Sequence, residues 1–114
     1  MLFRSLLDQM AHTTYDQLHI ITGMVKDKDI DTVLRLLPQK ASYYFTQSHL
    51  PRALSKEELA LKANKLGLKG KVYNDVNIAI NAALQIAQQN DLILVIGSVY
   101  LVAEVDRKLF HPKK

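Results

Sequence analysis

Two apolar runs restrict this chain more than any other feature. LHIITGM (Leu18 to Met24) and LILVI (Leu92 to Ile96) are dense in β-branched residues and lack a sustained polar alternation. A strand with one wet face alternates apolar with polar residues, whereas a near-continuous apolar run is a strand covered on both faces. Such strands belong to parallel sheets, and parallel neighbours need crossover segments that pack on the sheet.

The segments around the runs have the periodicity that crossovers require. Leu2, Phe3, Leu6, Leu7 and Met10 recur at helical spacing, so an amphipathic helix opens the chain. After the first run, a helix begins at Asp29, carries Ile30, Val33, Leu34 and Leu37, and ends at Pro38. ASYYFT (Ala41 to Thr46) is a strand of aromatic β-formers, followed by the polar loop QSHLPRAL. Ser55 and Glu58 form a capping box for a helix through Leu59, Ala63 and Leu66, which Gly67 stops. Lys71 to Tyr73 is a short strand, and Asp75 caps the helix carrying Val76, Ile80, Ala83, Leu84 and Ala87. After the LILVI strand, Gly97-Ser98 leads into a last helix from Tyr100 to Phe110.

The order α-β-α-β-α-β-α-β-α gives an α/β fold: a three-layer, Rossmann-like, mostly parallel sheet of about four strands with helices on both faces. No repeat, low-complexity tract or long linker interrupts the 114 residues, so 1–114 reads as a single domain able to close one core. A doubly wound domain more often opens on a strand than on a helix. The expectation is therefore a domain truncated at its N-terminus.

Composition removes several function classes. The chain has no cysteine, which excludes a disulfide scaffold, a zinc finger and a thiol nucleophile, and fits a cytoplasmic protein. No apolar run approaches the roughly 20 residues of a membrane helix, and MLFRSLLDQM lacks a signal-peptide cleavage pattern. The net charge of +4 comes from 15 basic and 11 acidic residues spread along the chain. Without a basic stripe interleaved with aromatics, that charge reads as solvated surface and not as a nucleic-acid face.

In an open parallel sheet, ligands bind beyond the carboxyl ends of the strands. Those ends collect the concentrated polarity: Gly23 and Lys26 to Asp29 after the first strand, then Thr46, Gln47, Ser48, His49 and Arg52 after the second. Asn74 and Asp75 follow the third strand, and Gly97 and Ser98 the fourth. Each residue also has a plainer role. Asp27 or Asp29 complements a helix dipole, Ser98 caps a turn, and His49 is an exposed loop residue. Glu104, in an apolar helix, either caps a polar pocket or faces solvent beside Arg107 or Lys108. Nothing fixes Ser48, His49 and Asp75 as a triad. GxxxxGK[ST], GxGxxG and HExxH are absent.

Three segments together carry a resemblance. GMVKDKDI (Gly23 to Ile30), PRALSKEELA (Pro51 to Ala60) and DLILVIGSVYLVAEV (Asp91 to Val105) occur in that order. Their spacing resembles the C-terminal domain of the folylpolyglutamate synthases and bifunctional dihydrofolate synthases of the Mur ligase superfamily, from about Leu18 to Arg107. The resemblance implies an ATP-dependent ligase that forms an amide between a folate or pteroate carboxylate and L-glutamate. It also implies ATP and Mg in the full-length enzyme, with none bound to this fragment, and a mostly parallel sheet with an antiparallel strand at one edge. Asp27, Lys28 and Asp29 match the family's G-x-x-x-D-K-D corner at the domain interface. Arg52 matches its loop arginine, and Gly97, Ser98 and Tyr100 match its G-S-x-aromatic turn on the substrate side.

The chain departs from the family pattern in lacking the ATPase domain and the D-x-x-H-N-type motif that precedes the first helix. The resemblance therefore implies no catalytic residue here, no ligase activity from the fragment alone, and the ATPase domain of the same polypeptide as partner. Neither nucleic acid nor membrane is implied, and the exposed contact face allows a fragment homodimer. Two other classes compete. A free-standing receiver- or flavodoxin-like regulatory domain would use Asp27, Asp29 and Asp75, but wants five strands and a strand-end Lys after Ser98. A non-enzymatic docking module would use the same polar edge for a protein partner.

Overall fold

Strand β1, Leu18–Gly23, is buried at all six positions, and its side chains alternate between two separate cores. Leu18 and Ile20 point into one and Ile21 into the other, as the two-residue period of a strand requires. In this computed structural model the chain is described over residues 16–26, 29–97 and 99–106, with backbone alone at 99 and 100. The amphipathic helix expected over Leu2 to Met10 lies outside those residues.

The remaining elements follow the expected order. They are α1 (Ile30–Leu36), β2 (Ser42–Phe45), α2 (Lys56–Lys65), β3 (Gly70–Val72), α3 (Val76–Ile86), β4 (Leu92–Gly97) and α4 (Val99–Ala103). The sheet order is β3-β2-β1-β4, and every pairing among the described strands is parallel. The expected antiparallel edge strand is not among them.

Helices cover both faces. On the first, Ile30 and Leu34 of α1 with Leu59, Ala60 and Ala63 of α2 meet Leu18, Ile20, Tyr43 and Phe45. On the second, Val76, Ala79, Ile80 and Ala83 of α3 with Leu101 of α4 meet Ile21 and Tyr44. A stripe at i, i+3, i+4 and i+7 is what lets one helix face do this. Gly67 adopts φ +85 just past α2, a conformation that stops the helix and that glycine reaches without steric cost. The Gln39 side-chain amide donates to the Leu66 carbonyl there, at 3.1 Å.

Two expectations need correction. LILVI reads as a strand covered on both faces, yet Leu92 to Val95 are only half-buried and Ile96 alone is buried. β4 is an edge strand of the described sheet, and an apolar run looks the same at an edge as at the centre. The last helix was expected to reach Phe110 but ends at Ala103. Glu104 and Val105 N–H groups bond back to Leu101 and Val102, a tightened final turn, and the Asp106 N–H leaves the helix for the Asn77 side chain at 2.7 Å.

Candidate functional site at the carboxyl edge of the sheet

Close backbone approach builds this edge. Gly97 pairs with Gly23, and a Cβ on Gly97 would stand 2.1 Å from the Gly23 carbonyl oxygen. A Cβ on Gly23 would in turn stand 2.7 Å from the Thr46 carbonyl oxygen. The strand ends therefore meet backbone to backbone only because neither residue has a side chain.

The loops after β1 and β2 are then laced together. Thr46 N–H donates to the Thr22 carbonyl at 2.9 Å, Lys26 N–H to the Arg52 carbonyl at 2.9 Å, and Leu54 N–H to the Met24 carbonyl at 2.8 Å. Val25 and Ala53 form an isolated antiparallel bridge. Thus Arg52 lies beside the start of the KDKD corner, which sequence spacing alone does not reveal.

Helix caps occupy part of the polarity. Both Asp29 oxygens serve Thr32: Oδ2 accepts its hydroxyl at 2.6 Å and Oδ1 its N–H at 3.3 Å. Those two bonds, with Arg35 nearby, hold the Asp29 carboxyl below the ordinary carboxylate range. Ser55 Oγ accepts from Glu58 N–H at 3.1 Å, and Asp75 Oδ1 from Ile78 N–H at 2.9 Å. The described conformation of Asp29 and Asp75 is that of N-caps.

Glu104 connects three elements. Its Oε2 accepts the His49 backbone N–H at 2.9 Å, its Oε1 lies 3.4 Å from His49 Nδ1, and its carbonyl accepts the Asn77 side-chain amide at 2.9 Å. Of the two readings offered by sequence, it is the polar-pocket cap. His49 itself is a loop residue with a mostly exposed ring.

Three buried hydroxyls at this edge, Thr22 Oγ1, Thr46 Oγ1 and Ser48 Oγ, have no hydrogen-bond partner among the described residues, and Glu104 Oε1 has only its 3.4 Å contact with His49 Nδ1 there. Buried hydroxyls without partners are uncommon in folded proteins, because each forfeits its hydration. They gather where β1 and β2 end and where Glu104 holds the following loop. Of the residues singled out from sequence, the structure brings Asp29, Arg52 and Gly97 to this edge. Asp27, Lys28 and Ser98 lie outside the described residues, and Tyr100 is described by its backbone in the first turn of α4.

The opposite, amino edge has a feature that sequence reasoning missed. His19, inside the apolar run, is buried, with Nε2 2.9 Å from Asp91 Oδ2 and Nδ1 2.8 Å from the Tyr44 hydroxyl. In the tautomer whose Nε2–H donates to Asp91, Nδ1 accepts from the Tyr44 O–H. The Gln88 N–H and the imidazole hold the Asp91 carboxyl below the ordinary range. Burial, with Tyr73 and Asp91 adding, pushes the Tyr44 hydroxyl up. The signal available was a polar ring in an apolar strand and an acid just before another strand, 72 residues apart.

The chain matches the family described as "Mur ligase, glutamate ligase domain" over residues 3–99. The chain belongs to that family. The domain is 33% identical over 91 residues to a probable bifunctional folylpolyglutamate synthase/dihydropteroate synthase of Haloferax volcanii, covering 79% of this chain and 11% of that protein. It is 32% identical over 101 residues to a dihydrofolate synthase/folylpolyglutamate synthase of Buchnera aphidicola, covering 84% and 24%. A crystal structure of the Yersinia pestis bifunctional folylpolyglutamate synthase/dihydrofolate synthase, complexed with AMPPNP and a Mn ion, superposes at TM-score 0.82. Identity there is 28%, covering 96% of this chain and 26% of that one. This glutamate ligase domain thus spans about a quarter or less of the relatives it matches, and it has their fold.

Proposed function

We propose that this domain is the C-terminal, glutamate-side part of an ATP-dependent ligase that joins L-glutamate to a folate or dihydropteroate carboxylate. In that reaction ATP phosphorylates the carboxylate, and the glutamate amine displaces phosphate to form the amide. The observation that carries the reading is the carboxyl edge, where buried hydroxyls lack partners among the described residues of a glutamate ligase family domain. A face that works against a neighbouring domain and its substrates has reason to present such groups. The amino edge, with His19, Tyr44 and Asp91 mutually satisfied, has none.

The division of labour follows from the residues. Among the described residues no cluster of His, Cys, Asp or Glu is placed to hold a metal, and the sequence has no phosphate loop. The ATPase domain of the same polypeptide would therefore bind the triphosphate and its Mg. This domain would close over it, with Asp27, Lys28, Arg52, Gly97, Ser98 and Tyr100 on the interface or substrate side. Closure excludes water from a reactive acyl phosphate. Asp29 would serve the same face by fixing the start of α1. None of these residues acts as a proton-transfer catalyst, the 114-residue chain alone is inactive, and the enzyme works in the cytoplasm.

The test is transfer of labelled L-glutamate in the presence of ATP and Mg, with dihydropteroate or tetrahydrofolate as acceptor. The longer polypeptide containing this chain is expected to form labelled amide with one ADP per bond, and the 114-residue chain none. Amide formed by the chain alone, or none formed by the longer polypeptide with either acceptor, overturns the proposal.

A further inference from the structure

A row of rings crosses the second face of the sheet and ends at its surface. His19 on β1, Tyr44 on β2 and Tyr73 just after β3 stand in sequence, with centroid separations of 5.9 and 5.7 Å and interplanar tilts of 41° and 33°. The first two rings are locked, His19 by Asp91 and Tyr44 by His19. Tyr73 is half-buried, and among the described residues the row stops there.

The row ends at an open cavity of about 530 Å³, a size that falls within the range of small-ligand sites. Its walls include Ser42, Tyr44, Lys69, Lys71, Tyr73 and Ile86. It exists because α2 packs on β3 from the first face, while α3 crosses β1 and β2 on the second. Lys71 pairs with Tyr44 in register, so it shares the second face with Tyr44 and Tyr73. Ile86, in the last turn of α3, is 59% exposed beside it. Among the described residues the lining contains two lysines and no acid.

We propose that this cavity is a second binding site, distinct from the carboxyl edge, for a planar aromatic ring bearing an anionic group. The ring continues the aromatic row against Tyr73 and covers Ile86, and the anion meets Lys69 and Lys71. Ring contacts of this kind favour offset or tilted stacking, which the existing row already shows. A carboxylate or a phosphate satisfies the same pair of ammonium groups. The site does not depend on the ligase reading, since none of its lining residues is among those assigned to the ligase face.

The test is an NMR titration of the ¹⁵N-labelled 114-residue chain with 2-naphthoate, with neutral 2-naphthol, and with adenosine monophosphate. Expected are saturable shifts confined to residues 42–44, 69–73 and Ile86 for at least one of the two anions, with 2-naphthol weaker. The tighter of the two anions identifies the carboxylate or the phosphate as the preferred group. The double variant Lys69→Glu, Lys71→Glu, at the surface, is expected to weaken the anion about tenfold. Tyr73→Leu is expected to weaken both naphthalene compounds. Shifts located elsewhere, equal affinity for naphthoate and naphthol, an unaffected double variant, or no shift with either anion overturns the proposal.

Discussion

His19→Leu would remove an imidazole that joins two other buried polar groups. The Tyr44 hydroxyl would lose its acceptor in the interior, and the expected loss of stability is about 2 kcal/mol, measured by urea unfolding. An unchanged midpoint would mean that the Tyr44–His19–Asp91 chain is not formed in solution. A second residue-scale expectation concerns acid. The carboxyls of Asp29 and Asp91 both titrate below the ordinary 3.8. The unfolded chain therefore takes up protons first as pH falls, so their contribution is complete above about pH 4 and is lost below it. Asp91→Asn is expected to flatten that part of the stability–pH profile. At this scale the sequence was legible where a side chain acts on its own neighbours: Asp29, Ser55 and Asp75 cap the helices they precede. It was silent where partners are remote, because His19 and Asp91 meet only when β1 and β4 pair.

Elements were legible because their periods differ. Val76, Ile80 and Ala83 and the apolar run of β1 appear as read, on the faces that their periods require, whereas Leu84 of the expected stripe is exposed and Ala79 takes a buried place in it. Where the reading failed, the decisive contact lay outside the element. Asn77 draws the Asp106 backbone and the Glu104 carbonyl, and so ends α4 within a stretch that is locally helix-compatible. Two tests belong here. Ser55→Ala removes the acceptor for the Glu58 N–H and is expected to cost about 1 kcal/mol in thermal or urea unfolding. Gly97→Ala places a Cβ against the Gly23 carbonyl oxygen. It is expected to cost about 3 kcal/mol, with amide shifts concentrated at residues 22–26 and 46–54. A loss spread evenly over the chain would contradict the close approach of these strand ends.

On the scale of the whole molecule, the two edges of one sheet differ in kind. The amino edge is internally satisfied around His19, while the carboxyl edge presents buried hydroxyls with no partner among the described residues, near Lys26, Arg52 and Gly97. The layered architecture with a mostly parallel sheet followed from two apolar runs and the helices between them; that every described pairing is parallel did not. Which strand lies at an edge did not, since burial of β4 depends on neighbours that no local pattern records. The glutamate ligase family assigns work to a domain of this shape, and the account places that work at the carboxyl edge of a longer enzyme. Hydrogen–deuterium exchange of that enzyme, with and without nucleotide, folate and L-glutamate together, tests this most directly. The account predicts ligand-dependent protection over residues 23–29, 46–54 and 97–100, with residues 17–19 and 91 unchanged. Protection at the amino edge alone, or none at the carboxyl edge in an enzyme that is turning over, would contradict it.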